Sequence, residues 1–259
     1  MKDDLEVILN KLEHRKTDRL EKDSETYKIM ARVFDSSTLL ALYRLINREV
    51  FDVFYGTISA GKEADIYCAI DKKGNFVAAK IYRIDTSNFK TMRRYLSGDS
   101  RFRRVPNDRR GVIYSWVSRE FKNLQRADQA GISVPRPIDH EKNVLAMEFI
   151  GESGVPYPTM KNVKLQAPRK TFEKLFDVTK TLYQRAGLVH SDLSEYNVML
   201  SPEPIIIDFS MATDVKNPSA HEMLMRDLSN LTRYFKKIGW KIPDPRLLFD
   251  KIIREESLT

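Results

Sequence analysis

The residues best suited to chemistry lie between 190 and 210, where polar side chains stand in order among apolar stretches. Asp192 and Asn197 are five residues apart in HSDLSEYNVML, and Asp208 follows a short apolar run in IIIDFS. Phosphoryl transfer uses such a set, because one carboxylate accepts the proton of the attacking hydroxyl while an amide and another carboxylate hold metal ions beside the phosphates. We therefore predict that Asp192 is the catalytic base, that Asn197 and Asp208 bind Mg²⁺, and that Asp208 also serves catalysis.

A second candidate for phosphate binding is the stretch GTISAGKEAD at residues 56–65. It matches the P-loop pattern G-x-x-x-x-G-K-[ST] as far as Lys62 and departs from it at Glu63, which has no hydroxyl to offer Mg²⁺. A P-loop also opens a helix, whereas residues 64–70 alternate with period two and predict a strand. We therefore place this loop inside a β-hairpin.

Further residues match the nucleotide-binding layout of protein kinases, in which a glycine-bearing hairpin precedes a strand with an A-x-K string. Lys80 completes A-A-K in FVAAKIY and is predicted to grip the α- and β-phosphates, and Glu120, on the next helix, stands at the position of its ion-pair partner. Residues 147–150 fit the hinge between two lobes, so the backbone of Glu148 and Ile150 is predicted to bind the adenine edge.

Several of these polar residues also have a structural interpretation. A helical glutamate is most often a solvated charge, but Glu120 shares a side with Phe121 and Leu124, where burial would require a cationic partner. His190 is assigned to packing and hydrogen bonding beneath the catalytic loop. Asp227 lies near the apolar stripe of its helix, and we predict that it accepts backbone N–H bonds from that loop. Loop Asp and Asn residues also form turns, so the ordered set, rather than any single residue, supports the chemical interpretation.

Hydrophobic periodicity predicts an α+β fold that can position these residues, with strands mainly in the first half and helices mainly in the second. Helices are predicted at about 35–48, 114–130, 172–186 and 220–235, and strands at 64–70, 76–82, 143–151 and, as a hairpin, 198–200 with 205–207. The predicted domains are an N-terminal helical extension (1–55), a small β-rich N-lobe (56–150) and a short, mainly helical C-lobe (151–259).

A flexible basic insertion is predicted at 84–111 within the N-lobe. It contains eight Arg and Lys residues against three Asp, several turn signals and few candidates for a core. The net charge of the chain is +8, which favours acidic partners such as RNA, ATP or an anionic protein surface. Two interpretations of the insertion stay open: a mobile segment that binds RNA or an acidic partner, and an ordinary solvated loop.

Composition excludes several other classes of protein. The longest apolar runs, such as 205–207, are far too short to span a membrane, and the N-terminus has acids before any apolar stretch, unlike a secretory signal. The single cysteine, Cys68, cannot form a disulfide framework, and with only four histidines a zinc site is not expected. A cytoplasmic protein without a membrane partner is therefore expected.

Together the motifs resemble the RIO family of atypical serine protein kinases. The family strings S-T-G-K-E-A-x-x-Y, H-x-D-L-S-E-[FY]-N and I-D-x-S correspond to residues 59–67, 190–197 and 207–210, within a similarity that spans roughly residues 26 to 239. The chain resembles the type 1 branch, because only 55 residues precede Gly56, too few for the winged helix of the other branch. Residues 101–105, R-F-R-R-V, are similar to the F-R-x-R-V string of this branch.

The resemblance implies a two-lobed protein-kinase-like fold that uses ATP and Mg²⁺, for which Mn²⁺ is expected to substitute. Ser59, Gly61 and Ala64 occupy the three glycine positions of the ordinary kinase loop. Ser59 would then donate its hydroxyl and Lys62 would add charge, so Ser59, Gly61 and Lys62 are predicted to bind the nucleotide. Only 49 residues follow Ser210 and no A-P-E string is present, so the activation loop and peptide-docking helices of ordinary kinases are expected to be missing.

The resemblance also implies serine autophosphorylation or slow ATP hydrolysis, coupled to maturation of the small ribosomal subunit. The expected partners are ATP and the subunit precursor, both protein and rRNA, with no DNA.

Three alternatives stay open. One is a non-catalytic scaffold that binds ribosomal RNA through its arginines. Another is a small-molecule phosphotransferase, since aminoglycoside-kinase relatives use H-x-D-x-x-x-x-N followed by I-D, although those chains usually have a larger helical second lobe. The last concerns Asp208, which would itself accept the phosphoryl group, as in aspartyl-phosphate ATPases.

Overall fold

The computed structural model describes residues 34–99, 101–102, 104–201 and 203–254. These residues form two compact units: unit 1 holds residues up to 87 together with 138–148, and unit 2 holds 88–137 and the residues from 149 onward. The charged N-terminus, the start of the helical pattern near residue 26, and Arg103 of the R-F-R-R-V string lie outside the described residues.

Unit 1 is built on a five-stranded sheet. Its elements are helix α1 (Ser36–Asn47) and strands β1 (Val53–Ala60), β2 (Ala64–Ile70), β3 (Phe76–Tyr82), β4 (Pro137–Glu141) and β5 (Val144–Glu148). The strand order is β1-β2-β3-β5-β4, and the β1–β2, β2–β3 and β3–β5 pairs are antiparallel. The hairpin around the glycine loop and strands β3 and β5 confirm the predictions. Strand β4 is not predicted, because its polar sequence PIDHE lacks apolar alternation.

The core of unit 1 keeps β3 in place between its neighbours. The Asp35 side chain accepts a hydrogen bond from the Thr38 N–H (2.7 Å) and caps α1 where the sequence predicts its start. Apolar side chains of α1 and the sheet form one buried cluster that includes Leu42, Leu45, Ile46, Phe51, Phe54, Val77, Ile81 and Val144. In this register Lys80 of β3 lies opposite Ile66 of β2 and Leu145 of β5.

Unit 2 is mainly helical in its described residues. Its helices are α2 (Phe89–Ser97), α3 (Arg109–Gln129), α4 (Pro168–Gln184), α5 (Ala220–Lys237) and α6 (Pro245–Ile253), with a 3₁₀ turn at Met160–Asn162. Its short strands pair as β6 (Gly151–Glu152) with β7 (Val155–Pro156), β8 (Leu188–Val189) with β11 (Thr213–Asp214), and β9 (Val198–Ser201) with β10 (Glu203–Ile206). None of the helices in the described part of the chain has the length and apolar character needed to cross a bilayer.

The later elements of unit 2 largely match the sequence patterns. Helices α4 and α5 and the β9–β10 hairpin confirm the predictions. Helix α4 ends before Gly187, whose φ of +62° is the left-handed conformation that commonly terminates a helix. Helix α6 is not predicted, because its apolar pattern is short. Pro245 occupies its first turn, where proline is tolerated, and Leu248 and Ile252 are buried.

The segment 84–111 contributes to the core of unit 2, contrary to the expectation of few core residues there. Helix α2 lies within it and buries the side chains of Met92, Tyr95 and Leu96. Helix α3 begins five residues before its predicted start, because the Asp108 side chain caps it by accepting a backbone N–H (2.8 Å). The surrounding charges hide a short amphipathic pattern that tertiary packing makes helical.

A buried ion pair follows α2. Asp99 accepts hydrogen bonds from Arg101 (2.6 and 2.8 Å) and from Arg119 of α3 (3.0 Å), and the side chains of Asp99 and Arg119 are completely buried. Burial disfavours the Asp99 carboxylate, but the hydrogen bonds and charge of the two arginines outweigh it and lower its pKa to about 2. The pair ties the end of α2 to α3.

Asp99→Asn is expected to lower the free energy of unfolding by about 3 kcal/mol at pH 7, because Arg119 is left buried without its carboxylate. The contribution of the carboxylate is complete above its unfolded pKa, near 3.9, and is lost as the pH falls toward about 2. Denaturant titrations from about pH 5 to pH 2 should therefore show the difference between the two proteins shrinking by about 2 kcal/mol.

The exposed Asp128 of the same unit supplies the control for this titration. Asp128→Asn should leave the stability curve of the parent protein unchanged. A difference between the Asp99 variant and the parent that stays constant on acidification contradicts the ionised pair.

Candidate active site

The loop between β8 and β9 carries two of the residues predicted to be catalytic or metal-binding. The Asn197 side-chain amide donates to the Asp192 carbonyl (2.9 Å) and to its carboxylate Oδ2 (3.1 Å). Asp192 is exposed to solvent and Asn197 is half-buried. Because the Nδ2 group of Asn197 faces Asp192, its amide oxygen is the side-chain atom that can bind a cation.

Asp208 follows strand β10 and lies next to this loop. The Ile207 N–H donates to the Asn197 carbonyl (3.0 Å), which continues the pairing of the β9–β10 hairpin. The Asp208 Oδ1 accepts the Ser210 N–H (3.3 Å). The hairpin thus brings Asp192, Asn197 and Asp208 onto adjoining segments of the same unit.

The buried carboxylate of Asp227, on α5, holds the backbone on both sides of Asp192. It is 1% exposed and accepts the N–H groups of Ser191 (2.7 Å) and Leu193 (2.9 Å), which confirms the contact predicted from the sequence. Burial raises the pKa of Asp227 to about 7, against the opposing effect of these two N–H groups. Ser191 has a φ of +68°, a strained conformation for a residue with a side chain, so the loop needs this support.

Two further residues of α5 contact the same loop and are missed by the sequence motifs. The Arg226 guanidinium donates to the Ser191 carbonyl, and the Asn230 amide donates to the Leu193 carbonyl (3.2 Å). Asn230 is three residues after Asp227 and shares its helix face, so the sequence carried a signal for it. Arg226 had none, because charged residues are common on helix surfaces.

His190 has the structural role that the sequence predicts. Its Nε2 lies 3.1 Å from the Ile207 carbonyl oxygen, and its ring packs edge-on against Phe209 with centroids 4.9 Å apart. The histidine is buried. It therefore contacts both residues that flank Asp208.

The glycine loop in unit 1 is a tight turn between β1 and β2. The Gly61 N–H donates to the Ala64 carbonyl (3.1 Å) and to Asp65 Oδ1 (3.2 Å), so this amide is used within the turn. A Cβ at Gly61 would lie 2.8 Å from the Ala64 oxygen, closer than real Cβ contacts, which explains the glycine. Ser59 and Lys62 are exposed. Their contact with a nucleotide stays a prediction.

The other predicted nucleotide-binding residues are divided between the units. Lys80 of unit 1 is 6% exposed, with its Nζ 5.1 Å from the Tyr82 ring centroid. Glu120 of unit 2 is 1% exposed, in agreement with the burial considered from the sequence. Glu148 is exposed at the end of β5, and Ile150 is half-buried. Pairing of Lys80 with Glu120 and recognition of adenine stay predictions.

The donor set of Asn197 and Asp208 fits magnesium in the presence of a phosphorylated substrate. An amide oxygen and a carboxylate are too few to hold a cation by protein atoms alone. Within the described ranges, no group of three or more His, Cys, Asp or Glu residues is suited to a metal. Mg²⁺ usually binds through one or two carboxylates together with substrate phosphates and water, and these two side chains provide the protein's share.

Comparison with protein-family models matches residues 65–248 to the RIO domain. The RIO-type serine/threonine-protein kinase Rio1 of Haloferax volcanii is 41% identical over 219 residues, covering 84% of this chain and 75% of that protein. The Rio1 protein of Methanocaldococcus jannaschii is 37% identical over 245 residues, covering 90% of this chain and 83% of that protein.

Among solved structures, the Rio2 kinase–ADP/Mg²⁺–phosphoaspartate complex from Chaetomium thermophilum is similar, with a TM-score of 0.62 and 22% identity. The similarity covers 85% of this chain and 70% of that one. At this identity the likeness concerns the fold. The fold is α+β and protein-kinase-like, with a β-rich unit 1 and a mainly helical unit 2, which confirms the predicted class.

Proposed function

Because the chain belongs to the type 1 branch of the RIO family of atypical serine/threonine protein kinases, we propose that it transfers the γ-phosphoryl group of ATP to a serine hydroxyl. The observation that carries this proposal is the hydrogen bonding of Asn197. Its side-chain amide donates to Asp192, and its backbone carbonyl accepts the N–H of Ile207, the residue before Asp208. A proton acceptor and two oxygen donors for a cation therefore lie on adjoining segments of one unit.

In this proposal Asp192 accepts the proton of the serine hydroxyl. It is exposed, so an acceptor can reach it, and its carboxylate is oriented by Asn197 (3.1 Å). Asn197 and Asp208 would hold Mg²⁺, which when bound neutralises charge on the phosphates. Mn²⁺ is expected to substitute, because it also accepts carboxylate and carbonyl ligands.

The nucleotide contacts are proposed from the sequence motifs. They comprise Ser59, Gly61, Lys62, Lys80, Glu120, Glu148 and Ile150. Lys80 ends the A-A-K string on β3, the position of the phosphate-binding lysine in protein kinases. The exposed Ser59 and Lys62 leave their hydroxyl and ammonium accessible to a phosphate. The same proposal includes an N-lobe of residues 56–150 and a C-lobe of residues 151–259.

The test is incubation of the purified full chain with γ-labelled ATP and Mg²⁺. We expect ADP to form and an acid-stable label to appear on serine. A folded protein that yields neither ADP nor label contradicts the proposal. Release of inorganic phosphate without labelled protein would identify ATP hydrolysis as the main activity.

A second acceptor is Asp208 itself, because the solved Rio2 kinase of Chaetomium thermophilum is a phosphoaspartate complex. In this case the Asp208 carboxylate would attack the γ-phosphorus, and the bond between the γ-phosphorus and the bridging oxygen would break, with ADP as the leaving group. The acyl phosphate formed would then be hydrolysed by water. A label that hydroxylamine removes supports this acceptor. A label that survives hydroxylamine and acid supports serine.

The proposed physiological partner is the precursor of the small ribosomal subunit, in the cytoplasm. The family resemblance and the net charge of +8 support it. A non-catalytic scaffold would instead show RNA affinity that falls steeply with salt and complementation unaffected by Asp192→Ala. Phosphorylation of a sugar or an antibiotic in a substrate screen would favour the small-molecule phosphotransferase.

A further inference from the structure

Two side chains of helix α3, Arg119 and Asn123, hold the backbone that follows the proposed metal ligand. The Arg119 Nη1 donates to the Ser210 carbonyl (2.7 Å). The Asn123 Nδ2 donates to the carbonyls of Phe209 (3.1 Å) and Ala212 (2.8 Å). Both side chains are completely buried, so water does not compete for these bonds. Helix α3 thus fixes three carbonyls of one short segment.

Asp99 and Arg101, which follow α2, orient the two α3 side chains. Arg101 donates to the Asn123 Oδ1 (2.8 Å), so the amide of Asn123 presents its nitrogen to the carbonyls. Asp99 accepts from both Arg101 and Arg119. A continuous set of hydrogen bonds therefore runs from Asp99 to residues 209–212.

Asp208 stands immediately before this segment and depends on it. Its φ of +61° is a left-handed conformation that is strained for a residue with a side chain and persists only where the surroundings hold it. Its carboxylate accepts the N–H of Ser210, and the carbonyl of that same residue is the one that Arg119 holds. Movement of residues 209–212 would therefore also move the Asp208 carboxylate.

We propose that Arg119 and Asn123 are positioning residues that fix the Asp208 carboxylate for binding of the divalent cation, an inference that rests on the proposed function. Neither residue touches the reacting atoms. They act through three backbone carbonyls, and Asp99 and Arg101 keep them in the required orientation. Supporting residues of this kind typically change metal affinity by about 10- to 100-fold.

The most informative variant is Asn123→Asp, which keeps the size of the side chain and its acceptance from Arg101. It replaces the N–H donor with a carboxylate oxygen facing two carbonyls, so the 209–212 segment is released. The added negative charge by itself would raise the affinity for a cation. A fall in affinity therefore reports lost positioning and not the change of charge.

A second variant, Arg119→Lys, covers the case in which Asn123→Asp does not fold. Its ammonium keeps a cation beside Asp99 but cannot donate to Asp99 and Ser210 with the geometry of a guanidinium. The matched control is Arg126→Met on the same helix. Arg126 also donates to backbone carbonyls, those of Ala186 (3.0 Å) and Gly187 (3.0 Å), and to the Asp214 carboxylate (2.8 Å). None of these acceptors belongs to residues 208–212.

Mn²⁺ binding to the full chain is measured with ADP present, using the electron paramagnetic resonance signal of free Mn²⁺. The unfolding temperature of each variant is measured in parallel. Asn123→Asp is expected to weaken Mn²⁺ binding at least about 10-fold, and Arg119→Lys by a smaller factor. Binding of ADP without metal should be unchanged in both. Arg126→Met should lower the unfolding temperature and leave Mn²⁺ affinity at the parent value.

The outcomes separate this inference from the function on which it rests. If the parent protein binds no Mn²⁺ with ADP, the proposed function fails. If the parent binds Mn²⁺ and both α3 variants bind it equally well, only the positioning role is overturned. Equal loss of Mn²⁺ affinity in Arg126→Met and Asn123→Asp also overturns it, because the effect would then follow general destabilisation.

Discussion

Asp192→Asn is expected to lower the rate of phosphoryl transfer by about 1,000-fold while leaving the unfolding temperature near that of the parent protein. The loss follows because an amide cannot accept the serine proton in the transition state, and a positioned general base typically contributes about 100- to 10,000-fold. The fold should persist, because Asp192 is exposed and its asparagine replacement can still accept the Asn197 amide through the carbonyl oxygen.

The rate is measured as ADP formation and phosphoserine at saturating ATP and Mg²⁺. The control is Asp177→Asn, which makes the same chemical change at an exposed site on α4. Nucleotide affinity should be similar in all three proteins, so the defect belongs to the chemical step. Parent-like turnover in the Asp192 variant would show that Asp192 is not the general base of the reaction.

Asp227→Asn is expected to impair both stability and activity. Its carboxylate accepts the Ser191 and Leu193 N–H groups through separate oxygens. An asparagine has only one oxygen acceptor, so its NH₂ group would face the second backbone N–H. An unsatisfied buried donor costs about 1–3 kcal/mol, so we expect a loss of about 2 kcal/mol in the free energy of unfolding. Displacement of Asp192 by about 1 Å would lower turnover by about 100-fold.

Denaturant titration and turnover, each compared with Asp177→Asn, test the two parts separately. Turnover is to be measured well below the unfolding transition, so that unfolded protein does not account for the loss. An Asp227 variant with parent-like stability and turnover would show that the two N–H bonds do not hold the loop.

Much of the candidate site could be predicted because phosphoryl transfer requires particular residue types in a particular order. Asp192 and Asn197 are close in sequence, and the apolar hairpin that brings Asp208 to them has clear periodicity. Asp227 could be predicted because an acid on an apolar helix stripe must find donors when buried.

The supporting network could not be predicted, because its partners are distant in the chain. Arg119 bonds a carbonyl 91 residues away, and Asn123 bonds carbonyls 86 and 89 residues away. A polar residue on a helix looks the same in sequence whether it faces water or a buried carbonyl. Helix α2 was missed because charged residues surround its short apolar stripe of Met92, Tyr95 and Leu96. The buried partner of Asp99, Arg119, is also distant, at 20 residues along the chain.

The position of Arg101 bears on how RNA contacts of the 84–111 segment are to be mapped. Charge-reversal scans treat every arginine of a basic stretch as part of one electrostatic surface. The Arg101 guanidinium, however, donates to Asp99 and Asn123 inside unit 2. Replacing Arg101 with an acidic residue would disturb this buried network. RNA binding would then weaken even if Arg101 makes no contact with RNA. Lys90 and Arg104 are exposed. Substitutions at these two positions therefore test the contribution of surface charge to RNA binding without disturbing the network.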